Sequence, residues 1–82
     1  MIRLTLYGRA DCHLCHEMRA VVDVVARDLP LAVEEVDVDA DPALVARWGD
    51  EVPVLAVNGR AAFKHRVDAR ALRARLARES PS

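Results

Sequence analysis

The chain has 82 residues, 52% of them apolar and 30% charged, and a formal net charge of −1. This length supports one domain with one small core, and the content of 3 Gly, 4 Pro and 2 Cys excludes collagen-like, low-complexity and disulfide-scaffold classes. No apolar run approaches the ~20 residues of a membrane span, and the N-terminus carries no basic segment leading into an apolar stretch, so a single cytoplasmic domain over residues 1–82 is expected, without a membrane partner.

Ile2, Leu4 and Leu6 alternate with Arg3, Thr5 and Tyr7, which predicts a strand over 2–7. Gly8 to Asp11 reads as a loop. From residue 13 the period becomes helical. Leu14, Met18, Val21, Val22, Val25 and Leu29 share one face, Glu17, Asp23 and Arg27 lie on the other, Asp11 or Cys12 is the N-cap and Pro30 marks the end. Residues 31–38 read as a second strand whose imperfect alternation suits a sheet edge. Asp41-Pro42 opens a short helix, with an acidic cap followed by proline at the first helical position, and Gly49 ends it. Residues 52–57 form a short apolar run, as expected of a strand covered on both faces. Asn58-Gly59 is a strong hairpin signal, so residues 61–65 return antiparallel. Asp68 caps a last helix over 69–79, with Leu72 and Leu76 inward. The order β-α-β-α-β-β-α gives an α/β fold. Its first two strands are parallel across a helical crossover, in a mixed four-stranded sheet with helices on both faces.

Charge is distributed unevenly. Residues 34–51 hold seven acids and one base, and residues 60–79 seven bases and two acids. A near-zero total argues against nucleic acid as a partner, because phosphate binding calls for a concentrated basic face.

The chemistry-bearing feature is Cys12-His13-Leu14-Cys15, placed where the first strand gives way to the first helix. Two cysteines three apart at a helix start can close a small disulfide ring. Cys12 sits at the N-terminal end, where unpaired backbone N–H groups and the helix dipole favour an anion. A free thiol titrates at ~8.5 and falls to ~3.5–7.5 in such motifs. Cys15, one turn inside, is expected to be buried and protonated. Cys12 then attacks a disulfide and Cys15 resolves the mixed disulfide. The run Cys12 to His16 also matches a c-type haem attachment pattern, but a strand leads directly into it and no export signal precedes it. Cys12, Cys15, His16 and His13 offer metal ligands, yet a closed zinc site joins two separated pairs, and the remaining histidine is the isolated His65. The acidic run Asp37-Val38-Asp39-Ala40-Asp41 fails as a calcium loop, with Pro42 where Gly is needed and Trp48 where Glu is needed.

With this motif on a strand-to-helix junction, Val52-Pro53 opening a later strand and a hairpin followed by a helix at the end, the sequence resembles the glutaredoxin branch of the thioredoxin superfamily. The likeness spans about residues 2–79 and is anchored by Leu4 to Tyr7, Cys12 and Cys15, Val36 to Asp39, Glu51 to Pro53, and Asn58-Gly59. It implies a thioredoxin-like fold and a cis Val52-Pro53 bond beside the cysteines, with the Val52 main chain pairing with the substrate backbone. Arg9 takes the place of a common basic residue that would hold a substrate carboxylate. Asp68 keeps the acidic character of a ligand-binding position before the last helix. Arg9, Val52, Pro53 and Asp68 are thus the substrate-binding candidates. Between the cysteines stands His13-Leu14 rather than Pro-Tyr, and a charged His13 would stabilise the Cys12 thiolate. Glu51 replaces a Thr. Residues 63–68 lack the two glycines of glutathione-binding members, which argues against glutathione as the working reductant.

The function expected is a thiol–disulfide oxidoreductase, an electron carrier that needs neither cofactor nor metal. Its partners would be disulfide-bearing proteins or low-molecular-weight thiols, together with a reductase or thiol that recycles it. A monomer is expected. The same thiols would also suit a different class of protein, a non-enzymatic carrier of a metal or iron–sulfur cluster or a protein-interaction module. Colour and metal content separate the two.

Overall fold

The computed structural model describes residues 1–79. The elements are β1 (Ile2–Gly8), α1 (His13–Ala26), β2 (Leu31–Asp37), a 3₁₀ turn (Val38–Ala40), α2 (Pro42–Trp48), β3 (Val54–Val57), β4 (Arg60–Lys64) and α3 (Ala69–Leu76). They follow the expected order. The sheet runs β2-β1-β3-β4, with β1 and β2 parallel and the other two pairs antiparallel.

Side-chain alternation along β1 divides the protein into two layers around the sheet. Leu4 and Leu6, with Leu55 and Val57 opposite them on β3, face α1 and α3. The periodic face of α1 supplies Met18, Val22 and Val25 to this core, and α3 supplies Leu72 and Leu76. Each of these side chains is at least 97% buried, and full burial of such a residue is worth ~1.5–3 kcal/mol. Tyr7 points to the opposite face, where Trp48 of α2 stacks on it at 5.7 Å between ring centroids. α2 has no fully buried residue. The second face is thus covered lightly. β3 is buried at all four positions, as its unbroken apolar run predicts.

Local chemistry sets the boundaries. Asp41 Oδ1 accepts from Ala43 N and Pro42 follows at the first helical position. The hairpin turns through Asn58 at φ 49° and Gly59 at φ 86°, the two left-handed residues of a primed turn. Asn58 also ties the turn inward, since its Oδ1 accepts from Arg3 N and its Nδ2 donates to Glu79. Several ends differ from the periodicity reading: β1 runs on to Gly8, α1 stops at Ala26, β3 starts at Val54 rather than at residue 52, and β4 spans Arg60–Lys64 rather than 61–65. At two further ends the local cause is visible. β2 stops at Asp37 because that carboxylate accepts from Asp39 N and starts the 3₁₀ turn. α3 stops at Leu76 because its last turn tightens into bonds from Arg78 N to Arg75 O and from Glu79 N to Leu76 O. Among the described residues, no helix is long and apolar enough to cross a membrane.

Candidate redox site

Cys12 and Cys15 are joined as a disulfide, with Cα atoms 5.1 Å apart. Cys12 is the N-cap of α1. Its backbone is extended (φ −102°, ψ 112°), its carbonyl accepts the first helical bond from His16 N, and its sulfur accepts from Cys15 N at 3.1 Å. The cap sulfur therefore already meets one of the orphan donors that would hold a thiolate. Cys12 is half-buried, whereas Cys15 is 5% exposed, one turn inside the helix. The two sulfurs thus have unequal access to solvent.

Val52-Pro53 is a cis peptide bond. The register pairs Tyr7 with Val54, so Pro53, one residue earlier, reaches the end of β1 from which the chain passes to Cys12. Pro53 is buried and Val52 half-buried. The Pro53 carbonyl accepts from His65 N at 2.8 Å. This bond links the segment to the β4–α3 loop, with His65 held at φ 68°, a conformation uncommon outside glycine.

The other candidates stand as follows. Arg9 is bonded within the protein. Its Nε lies 3.1 Å from both Asp39 carboxylate oxygens and its Nη1 donates to Gly49 O at 2.8 Å. Three loops at the site end of the sheet are joined through it. His13 is turned outward with 89% of its side chain exposed, and its Nε2 lies 3.4 Å from Glu17 on the next turn. Asp68 caps α3, its Oδ1 accepting from Ala71 N at 2.7 Å. Asp68 also lines a groove of about 600 Å³ with His65, Arg66, Leu14, Glu17 and Met18. Glu51 is paired with Lys64 Nζ at 3.1 Å. Lys64 Nζ and Arg47 also stand 5.8 and 4.8 Å from the Trp48 ring centroid.

Several contributors escape a reading of the sequence alone. His16 Nε2 donates to the Ala10 carbonyl at 2.9 Å and closes the loop before the cysteines. Asp39 holds Arg9. Arg19, bonded to Asp23 and Glu35, has its pKa raised, chiefly by the Asp23 hydrogen bond. It lines a second cavity of about 380 Å³ that reaches Cys15. Gly8, read as loop, is the last residue of β1 and packs against Cys15. Its one signal in the sequence is the alternation Leu4, Leu6, Gly8, in which glycine stands where a third core residue is due.

A Cys-x-x-Cys disulfide at the start of the first helix, a cis proline before an antiparallel strand and the sheet order above define a thioredoxin-like redox protein. Residues 3–77 match the Glutaredoxin-like domain family (DUF836), and the chain belongs to it. It is 30% identical to the uncharacterized protein Rv0508 of Mycobacterium tuberculosis, over 95% of this chain and 86% of that one. Among solved structures, protein XcR50 from X. campestris is 40% identical, with a TM-score of 0.78 over 94% of this chain and 99% of that chain. Desulfothioredoxin from Desulfovibrio vulgaris Hildenborough, in its reduced form, is 29% identical with a TM-score of 0.73, over 93% of this chain and 79% of that chain.

Proposed function

We propose that the protein is a cytoplasmic thiol–disulfide oxidoreductase that reduces protein or mixed disulfides, with Cys12 as nucleophile and Cys15 as resolving thiol. The observation that carries this reading is the unequal placement of the two sulfurs, Cys12 at the helix cap and Cys15 beneath it.

In the dithiol form the Cys12 thiolate attacks one sulfur of a substrate disulfide. A bond forms between Cys12 Sγ and that sulfur, and the other substrate sulfur leaves as a thiolate and takes up a proton. Cys15 then loses its proton and attacks Cys12 Sγ, the mixed disulfide breaks, and the second substrate thiol departs. Two electrons pass to the substrate, and the protein is left as the Cys12–Cys15 disulfide. The backbone of Val52 offers main-chain groups to the substrate chain at the cis-proline segment.

A protein substrate and a reductant other than glutathione suit the surroundings best. A tripeptide thiol needs close backbone approach before α3, and that loop carries His65 and Arg66 without any glycine. The Asp68 carboxylate there is already engaged in capping α3, and Arg9 is already bonded to Asp39 and Gly49. The pairing of Glu51 with Lys64 reduces the negative charge that Glu51 would otherwise place beside a substrate backbone.

The test is reduction of a mixed disulfide, run separately with glutathione and with a thioredoxin reductase as the source of electrons, on protein whose metal content has been measured. Turnover that depends on both cysteines and is poorly supported by glutathione is expected. Efficient turnover saturating at low glutathione, with none from the reductase, would overturn the reductant assignment. Protein that carries stoichiometric metal and never cycles would overturn the oxidoreductase reading itself.

A further inference from the structure

Alternation along β1 puts residues 4, 6 and 8 on the face covered by α1 and α3. Leu4 and Leu6 fill that face, and position 8 is glycine. Backbone conformation does not require it. Gly8 lies in a regular strand, in register with Asp37 of β2, and the glycine with positive φ is Gly59. A glycine inside a strand gives up side-chain packing and loses more conformational freedom on folding. A close neighbour accounts for it. A Cβ on residue 8 would stand 2.9 Å from Cys15 Sγ and 3.2 Å from Cys15 Cβ, inside the ~3.5–4.0 Å at which non-bonded heavy atoms rest.

The two redox states respond differently to such a collision. In the disulfide, the bond to Cys12 holds Cys15 Sγ in place. In the dithiol, the side chain is free to turn to another staggered position, and the cavity of about 380 Å³ bounded by Gly8, Cys15 and His16 offers space beside it. We infer that Gly8 is a positioning residue for the Cys12–Cys15 couple: the missing side chain leaves room for the Cys15 sulfur in its disulfide position and thereby sets how strongly reducing the pair is. The inference rests on the thiol–disulfide reading above, and glutathione enters the test solely as a redox buffer.

In that buffer the dithiol gives two electrons to glutathione disulfide. One sulfur–sulfur bond forms in the protein, one breaks in the oxidant, and two glutathione thiols carry away the protons. Gly8→Ala penalises the disulfide more than the dithiol. The equilibrium constant for oxidation falls by about tenfold, within the usual range of overpacking costs, which is about 30 mV toward a more oxidising couple. The ratio of disulfide to dithiol is read by acid trapping, alkylation and mass measurement across a series of glutathione mixtures. Gly59→Ala is the control. Its Cβ would meet nothing within 4 Å and its φ is +86°, so it lowers stability and leaves the redox equilibrium in place.

Unfolding of the disulfide form supplies a second readout. Gly8→Ala is expected to destabilise the disulfide protein, and to cost much less when Cys15→Ala has removed the sulfur. An unchanged equilibrium constant overturns the inference. So does an equal loss of stability with and without the Cys15 sulfur, since the collision would then be with the Cys15 Cβ, which the alanine variant keeps. If the wild-type pair does not exchange with glutathione disulfide or with a reductase, the oxidoreductase reading fails. The unfolding comparison, run on disulfide formed with a chemical oxidant, then still decides whether Gly8 makes room for the Cys15 sulfur.

Discussion

Four residues separate β1 from α1, and four separate β4 from α3. Each connection ends on an extended N-cap whose side chain accepts from the N–H three residues on: Cys12 Sγ from Cys15 N at 3.1 Å, and Asp68 Oδ1 from Ala71 N at 2.7 Å. The backbone device is the same, and the capping atom differs. A carboxylate oxygen holds the helix end as a fixed charge. A sulfur caps more weakly but can be oxidised, can attack a disulfide and can be released again. The surroundings differ too. Cys15 lies buried under Gly8, whereas the Asp68 junction borders an open groove along α1. One strand-to-helix turn therefore serves for structure or for chemistry according to one side chain and how tightly the strand approaches the helix.

The contrast is broken most severely at the sulfur. Cys12→Ser keeps a capping oxygen but removes the nucleophile, so turnover is expected to vanish while the fold survives, as measured by a disulfide-reduction assay beside circular dichroism. Cys15→Ser leaves the attack intact and removes resolution. Covalent adducts on Cys12 should then accumulate, visible as a mass increase that a small thiol reverses. Retained turnover in Cys12→Ser would sink the assignment of roles.

A smaller effect sharpens the same comparison in the wild-type dithiol. Alkylation at pH 6–7 should label Cys12 well before Cys15, because cap N–H groups favour the Cys12 thiolate and burial disfavours a Cys15 thiolate; each pKa unit of separation gives about tenfold more thiolate. Peptide mapping of partly labelled protein decides this, and equal labelling would contradict it.

At the other junction the effect should be on stability. Asp68→Ala removes a cap worth ~1 kcal/mol. The melting temperature should fall by roughly 4–8 °C for a domain of this size, by a similar amount in the disulfide and dithiol forms. A loss confined to one redox form would mean that the two junctions are coupled.

The smallest effect lies at the far end of α3. Glu79 is held below the usual carboxylate range, chiefly by the Arg75 hydrogen bond and next by Asn58. A carboxylate whose pKa is depressed on folding contributes stability above its unfolded pKa of ~4.3, and that contribution is lost as pH falls through the folded value. Glu79→Gln should therefore be slightly less stable than wild type at neutral pH, and the difference should close on acidification. Chemical unfolding at pH 7 and at pH 3 measures it.

Much of the architecture was legible because it is encoded over short spans. The β1 alternation, the α1 periodicity, the Asp41-Pro42 and Asp68 caps and the Asn58-Gly59 turn each depend on neighbours a few residues away, and each element appears where those signals put it. Of the ends that fall elsewhere than periodicity put them, those of β2 and α3 are where a side chain or a tightened turn competes with the regular backbone pattern. At the site, the cysteine pair was legible because its spacing on a strand-to-helix junction is itself local. Gly8 was read as loop because a missing side chain gives no periodic signal of its own.

The sequence by itself determined the order of elements, the core faces of α1 and α3 and the cysteine pair whose spacing can close a disulfide, since these follow from backbone period, capping and the placement of the two sulfurs on a strand-to-helix junction. Only the tertiary structure decided what each of those residues touches. Arg9 meets Asp39 and Gly49, thirty and forty positions away, and Pro53 is held by the His65 amide. Gly8 lies against Cys15, seven positions on, across a turn of chain. A pattern of apolar residues reports that a face is buried, but not what it is buried against. The distances at this site are set by how the strand, the helix and three loops pack together.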